Sequence, residues 1–245
     1  MDKIRVTVWN EFYHEKTDND VKKLYPDGIH AFLKNALDCD DFEITLASLD
    51  MVPDHGLTEK VLNNTDVLIW WAHCRHGELS DEVARRVCKH VLNGMGFIPL
   101  HSSHRCKPFY TLMGTECTLR WRNWAEHCRI WNVNPTHPIA KDIPMDFELE
   151  HEEMYGEYFN IPKPDDLIFV TWFAGGEIFR GGCTFTRGNG KIFYFHPGHE
   201  NCPTYYNPTI IKIIKNAIYW AAPSTKRDFK DGSFKLPDEK IKIQF

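Results

Sequence analysis

Apolar and polar positions in the first hundred residues fall into alternating strand-length and helix-length blocks. Residues 4–9 (IRVTVW) set β-branched side chains at alternate positions and predict a strand. Residues 26–37 place Ile29, Phe32, Leu33 and Ala36 on one face and predict a helix. A strand is expected over 42–47, a short helix over 57–62, and a fully apolar strand over 67–71 (VLIWW). Ser80 caps the next predicted helix, with Asp81 and Glu82 in its first turn, a stripe of Val83, Val87 and Val91, and Gly94 at its end. Residues 96–100 are the fourth strand. The order β-α-β-α-β-α-β implies an α/β fold with a mainly parallel central sheet and right-handed crossovers.

The period changes after Gly114. Residues 117–131 carry three tryptophans and three arginines and read as paired strands. Residues 134–139 are turn-rich, and 147–158 are strongly acidic, the pattern of a solvated face. Residues 167–173, 177–187 and 191–195 read as strands joined by glycine-bearing turns, and 208–220 as a closing helix. The expected organisation is one domain over 1–245, with an inserted β-rich region at about 115–165 and a polar, lysine-rich tail over 221–245 that wraps the surface.

Composition narrows the function classes. The chain has 245 residues, 42% apolar and 26% charged, as in ordinary globular proteins. A net charge of −5 argues against a nucleic-acid partner. No apolar run reaches the roughly 18 residues of a membrane span. Residue 4 already opens a strand, so no signal peptide is expected, and the eight scattered cysteines contain no C-x-x-C pair. These features predict a cytoplasmic protein with reduced thiols.

Candidate chemistry gathers after the strands. His14 follows the first strand, His73 and His76 the third, His101 and His104 the fourth, and His196 and His199 the last. Ligands in open α/β sheets bind beyond the carboxyl ends of the strands. A lone loop histidine is ordinarily a surface hydrogen-bonding residue. Here three H-x-x-H pairs coincide on one predicted edge, and that coincidence carries the weight. Imidazole moves protons near neutral pH and binds zinc and similar metals. His73, His101 and His199 are the candidate acid/base groups or ligands of a divalent metal such as zinc, with Glu11 or Glu153 as partner carboxylate. Asn10, His14, His76, His104, Tyr155 and Glu200 are candidate substrate contacts. Trp9, Trp71 and Trp121 are candidate aromatic walls for a sugar ring, although Trp70 and Trp71 also fit a sheet core. No nucleotide cofactor is expected.

Several segments together resemble the ThuA-like, or trehalose-utilisation, family. They are WNE at residues 9–11, WWAH at 70–73, GMGFIPLH at 94–101, NPTHPI at 134–139, EEMY at 152–155 and GKIFYFHPGHE at 190–200. The resemblance spans roughly residues 4–220. It implies a flavodoxin-like three-layer sandwich, similar to class I glutamine amidotransferases, and a role on trehalose-like glucosides or their 3-keto derivatives. The amidotransferase likeness places a nucleophile elbow near residues 101–103. This chain has Ser102 and Ser103 there, no cysteine before Cys106, and no G-x-S-x-G elbow.

The expected function is a carbohydrate-processing lyase or hydrolase with a small-molecule sugar substrate. The alternatives are a Ser/His hydrolase or amidase on the amidotransferase edge, and a non-catalytic sugar-binding or regulatory protein. The aromatics of the inserted region are compatible with a homo-oligomer.

Overall fold

The computed structural model describes residues 3–224; the tail beyond 224 lies outside the described residues. The strands are β1 (Ile4–Asn10), β2 (Phe42–Ser48), β3 (Val67–Trp71), β4 (Gly96–Leu100), β5 (Arg120–Asn132), β6 (Asp146–Gly156), β7 (Asp166–Phe173), β8 (Ile178–Arg187) and β9 (Gly190–Phe195). The helices are α1 (His14–Thr17), α2 (Asn19–Leu24), α3 (Ile29–Leu37), α4 (Glu59–Asn63), α5 (Asp81–Leu92), α6 (Lys107–Met113) and α7 (Pro208–Ala221). Among the described residues, no helix is long and apolar enough to cross a membrane.

All nine strands join one sheet in the order β2-β1-β3-β4-β9-β8-β7-β5-β6. The expectation of a mainly parallel sheet is corrected. Four ladders, β1–β2, β1–β3, β3–β4 and β4–β9, are parallel. The other four, β8–β9, β7–β8, β5–β7 and β5–β6, are antiparallel and include the longest strands. For β7–β8 and β8–β9 the cause is connection length: a tight turn permits only an antiparallel return, whereas a parallel one needs a long crossover. At the β8–β9 turn Gly188 has φ +57° and lies so close to α5 that a Cβ would meet Leu92 O at 2.5 Å. Residues 117–131 are not a hairpin but mostly one strand, β5, whose register with β6 shifts around Ala125, itself at φ +48°.

The central parallel strands β3 and β4 are buried on both faces. Val67, Ile69 and Trp71 of β3 face one core, with Leu33 of α3 and Ile210, Ile214 and Ile218 of α7. Leu68 and Trp70 face the other, with Val83, Val87 and Val91 of α5 and Phe109 of α6. Ser80 caps α5 as expected, its Oγ accepting from Val83 N at 3.2 Å. This layering holds the ends of β1, β3, β4 and β9 side by side, so their loops open on one edge.

Candidate active site

The loop histidines converge. His73 lies 6.1 Å from His101 and 5.2 Å from His199 between ring centroids, and His101 lies 5.2 Å from His199. Donor atoms of His73, His101, His199 and Glu200 all fall within 4.8 Å of one another. A second, overlapping grouping comprises His14, His73 and Cys74. Glu153 reaches the cluster from β6, its Oε2 standing 3.0 Å from His101 Nε2 and 3.8 Å from His199 Nε2.

Buried supports fix these groups. His101 Nδ1 donates to His196 O at 2.9 Å, which turns Nε2 towards the cluster. Its backbone is left-handed, φ +52°, at the turn out of β4. Glu11 accepts from the backbone N–H groups of His73, Cys74 and Arg75 at 2.7–3.1 Å, and from the Cys74 thiol at 3.2 Å. Glu11 therefore shapes the β3 loop, which corrects its assignment as a catalytic carboxylate. Glu152, which the sequence reading missed, does the same for the β9 loop. It accepts from Gly198 N, His199 N and Thr204 Oγ1 at 2.7–3.1 Å.

Burial sets the charge states. His101 differs from His73, His104, His196 and His199: burial opposes its proton, but the Glu153 carboxylate beside it raises its pKa. Burial would push Glu153 up, yet the bond from His101 holds it down, so the two form a matched ion pair. His73 and Glu200 look like another pair at 3.3 Å, but their charges disagree with that label. Burial drives His73 down to about 2, helped by the neighbouring imidazoles, and lifts Glu200 to about 7. Near neutrality they meet as an uncharged imidazole and a half-protonated carboxyl. Burial likewise takes His199 to about 4 and His104 to about 3.

The cluster forms part of the wall of a cavity of about 510 Å³, within the range of small-molecule sites. His73, His76, His104, Glu153 and Tyr155 line it, with Trp121 at its exposed rim. Arg105 and Asn123 also line it, and the sequence reading missed both. Asn123 Nδ2 stands 3.2 Å from His199 Nε2. No spacing rule finds such residues, because one lies beyond the histidine pair and the other in the irregular part of β5. Glu78, on the same loop as His76, is exposed and tied to Arg75.

Three expected contacts are corrected. Trp9 is buried, stacked on Trp70 at 3.9 Å, with its Nε1–H donated to His55 O. Trp71 is buried in the opposite core and donates to Gly198 O at 2.9 Å. Asn10 is buried beneath the loops, bonded to Glu15, His30 and Phe12 N. His14 and Glu200 do belong to the cluster: Glu200 Oε1 lies 3.5 Å from His14 Nδ1.

Comparison with protein families matches residues 5–221 to the family described as ThuA, trehalose utilisation. The chain belongs to the ThuA family. The fold is shared with a ThuA-like protein from Parabacteroides merdae at 14% identity and TM-score 0.65, covering 92% of this chain and 93% of that one. A ThuA-like protein from Bacteroides uniformis matches at 14% identity and TM-score 0.64, covering 89% and 91%. A glutamine amidotransferase from Thermotoga maritima matches at 10% identity and TM-score 0.50, covering 82% and 77%. No curated protein matches.

Against the amidotransferase fold, this ThuA-family chain carries His101 with its left-handed backbone at the elbow where a nucleophile is expected. Ser102 Oγ pairs with the Tyr155 hydroxyl at 2.6 Å. Ser103 is buried, accepting from Ala72 N and donating to Trp70 O, both at 3.0 Å. Neither bond activates a serine by a histidine. The Cys74 thiol is pushed up to about 12 by burial and by Glu11, far from the thiolate that nucleophilic attack needs.

Proposed function

We propose that this ThuA-family protein is a cytosolic carbohydrate-processing enzyme of trehalose or disaccharide use, acting on a glucoside or 3-keto-glucoside. One observation carries the reading. His14 Nδ1, His73 Nδ1 and Glu200 Oε2 are all buried without a hydrogen-bond partner, and all belong to the cluster beside the cavity. Buried polar atoms without partners are costly and rare, so such a concentration marks a site built for something else to bind. All eight cysteines are free, which supports a reducing compartment.

The donor set fits a divalent cation such as zinc, because imidazoles are among its usual ligands, and binding would displace the proton that His101 shares with Glu153. His73, His101 and His199 would hold it, and when bound it would supply Lewis-acid polarisation of a substrate oxygen. Glu200 is the better general base of the two carboxylates, since its pKa near 7 suits proton transfer at neutral pH, whereas Glu153 is locked to His101. On a 3-keto-glucoside, the carboxylate removes the proton beside the carbonyl. The electron pair moves into an enediolate and then expels the glycosidic oxygen. The protonated carboxyl returns its proton to that oxygen, so the elimination balances without a further reactant. Tyr155 and Trp121 offer aromatic surface to the ring.

The test is turnover of 3-keto-trehalose and simple 3-keto-glucosides, with metal analysis of the purified protein. His73→Ala and His199→Ala should each lower turnover by about a hundredfold or more, and His73→Ala should lose stoichiometric metal. Unchanged turnover in both variants defeats the proposal. Thermal stabilisation by these sugars with no product formed would mark a binding protein instead.

A further inference from the structure

One cation on the cavity wall is engaged by no ion pair among the described residues. Arg75, Arg86, Arg122 and Arg180 are each paired with carboxylates. Arg105 lines the cavity with its side chain exposed, and among the described residues no ion pair engages it. The nearby negative charge is already committed. Glu153 is bound to His101 at 3.0 Å, and Glu11 accepts from three backbone N–H groups of the β3 loop.

Two imidazoles accompany the guanidinium. Both ring nitrogens of His76 are buried with no hydrogen-bond partner. His104 donates from Nδ1 to Cys117 O at 2.7 Å, which leaves Nε2 as an acceptor. Burial lowers the basicity of both rings and the charge of Arg105 lowers it further, and His76, His104 and Thr118 line the same cavity as Arg105.

We propose that Arg105, with His76 and His104, forms an anion subsite, and that the substrate is a sugar bearing a phosphate or carboxylate group. This rests on the carbohydrate reading and narrows it to acidic sugars. A guanidinium fork matches either anion in a two-pronged contact. The acceptor on His104 favours phosphate: a phosphate monoester that retains one O–H donates to Nε2 while accepting from Arg105, whereas a carboxylate satisfies only the arginine. The cavity of about 510 Å³ leaves the other end free for the reacting ring at the His73–His101–His199 cluster.

The test is calorimetry and thermal shift on the full chain with inorganic phosphate, glucose 6-phosphate, glucuronate and glucose. Glucose 6-phosphate should bind at least about tenfold more tightly than glucose, the scale of one charge-assisted contact. Arg105→Gln should remove that advantage, while Arg85→Gln, on an exposed face of α5, should retain it. Stronger binding of glucose 6-phosphate than glucuronate identifies phosphate as the group, and the reverse order identifies carboxylate. Equal affinity for charged and neutral sugars, or an unchanged profile in Arg105→Gln, overturns the subsite. These readouts need no turnover. If the keto-sugars are not processed but the Arg105 dependence holds, the mechanism fails and the subsite stands.

Discussion

Glu200 sits among His14, His73 and His199, with only 6% of its side chain exposed, and burial is the largest influence on its charge. Its folded pKa is raised to about 7 from an ordinary 4.5. The folded chain therefore holds this proton more tightly than the unfolded chain does. The associated stability is fully present below about pH 4.5 and is lost as pH rises through about 7. The difference corresponds to something on the order of 3 kcal/mol. Glu200→Gln keeps the shape of the protonated carboxyl, so in chelator-treated protein it should be more stable than the parent at pH 8, by up to that amount, and nearly equal at pH 4. Urea unfolding at the two pH values measures this, and parallel pH profiles for both proteins would refute it. At this scale the histidines were legible, because a residue just past a buried strand reaches the sheet edge whatever the local detail. Trp9, Trp71 and Asn10 were not, because neighbours on a strand point to opposite faces and the terminal side chains turn into the cores. Glu152 and Glu153 show the same limit: one braces the β9 loop, the other lines the cavity.

Elements with a single periodic face were easiest to read. The α5 stripe and its Ser80 cap are both present as the sequence predicts. The cap bond to Val83 N satisfies one of the N–H groups that a helix start leaves open. Ser80→Ala should cost about 1 kcal/mol, or about 2–4 °C of melting temperature for a chain of this size. Ser80→Asp should restore most of it, since a carboxylate also caps and suits the helix dipole. Equal loss in both variants would place the effect outside the cap. The misread element was β5. Its arginines and tryptophans break the two-residue alternation, because the bulge at Ala125 resets the register between Arg122 and Glu126. Arg122 bridges the irregularity with bonds of 2.5 and 2.8 Å to Glu126. A one-residue shift in register is invisible to a pattern count, yet here it sets Asn123 against His199 and Trp121 at the cavity rim.

Across the whole molecule, the site is shared between two kinds of sheet. The parallel half supplies His14, His73 and His101, the antiparallel half supplies Glu153, Tyr155, Trp121 and Asn123, and the loop after β9, where the two halves meet, supplies His199 and Glu200. The α/β character of the first half was legible from block lengths. The balance between parallel and antiparallel ladders was not, since it depends on which strands β9 and β5 join, and those neighbours are remote in sequence. Donors so widely separated along the chain meet only when the sheet is complete, and an unfolded chain holds no equivalent set. A cation bound by them therefore stabilises the folded state by mass action, by about 2.7 kcal/mol at a free concentration one hundred times its dissociation constant. Titrating zinc into chelator-treated protein should raise the melting temperature progressively, as one cooperative transition. His101→Ala should abolish the rise, and Glu59→Gln, on exposed α4, should leave it intact. A rise of equal size in His101→Ala would mean that zinc binds elsewhere, and the cluster would then have to act through its imidazoles and carboxylates alone.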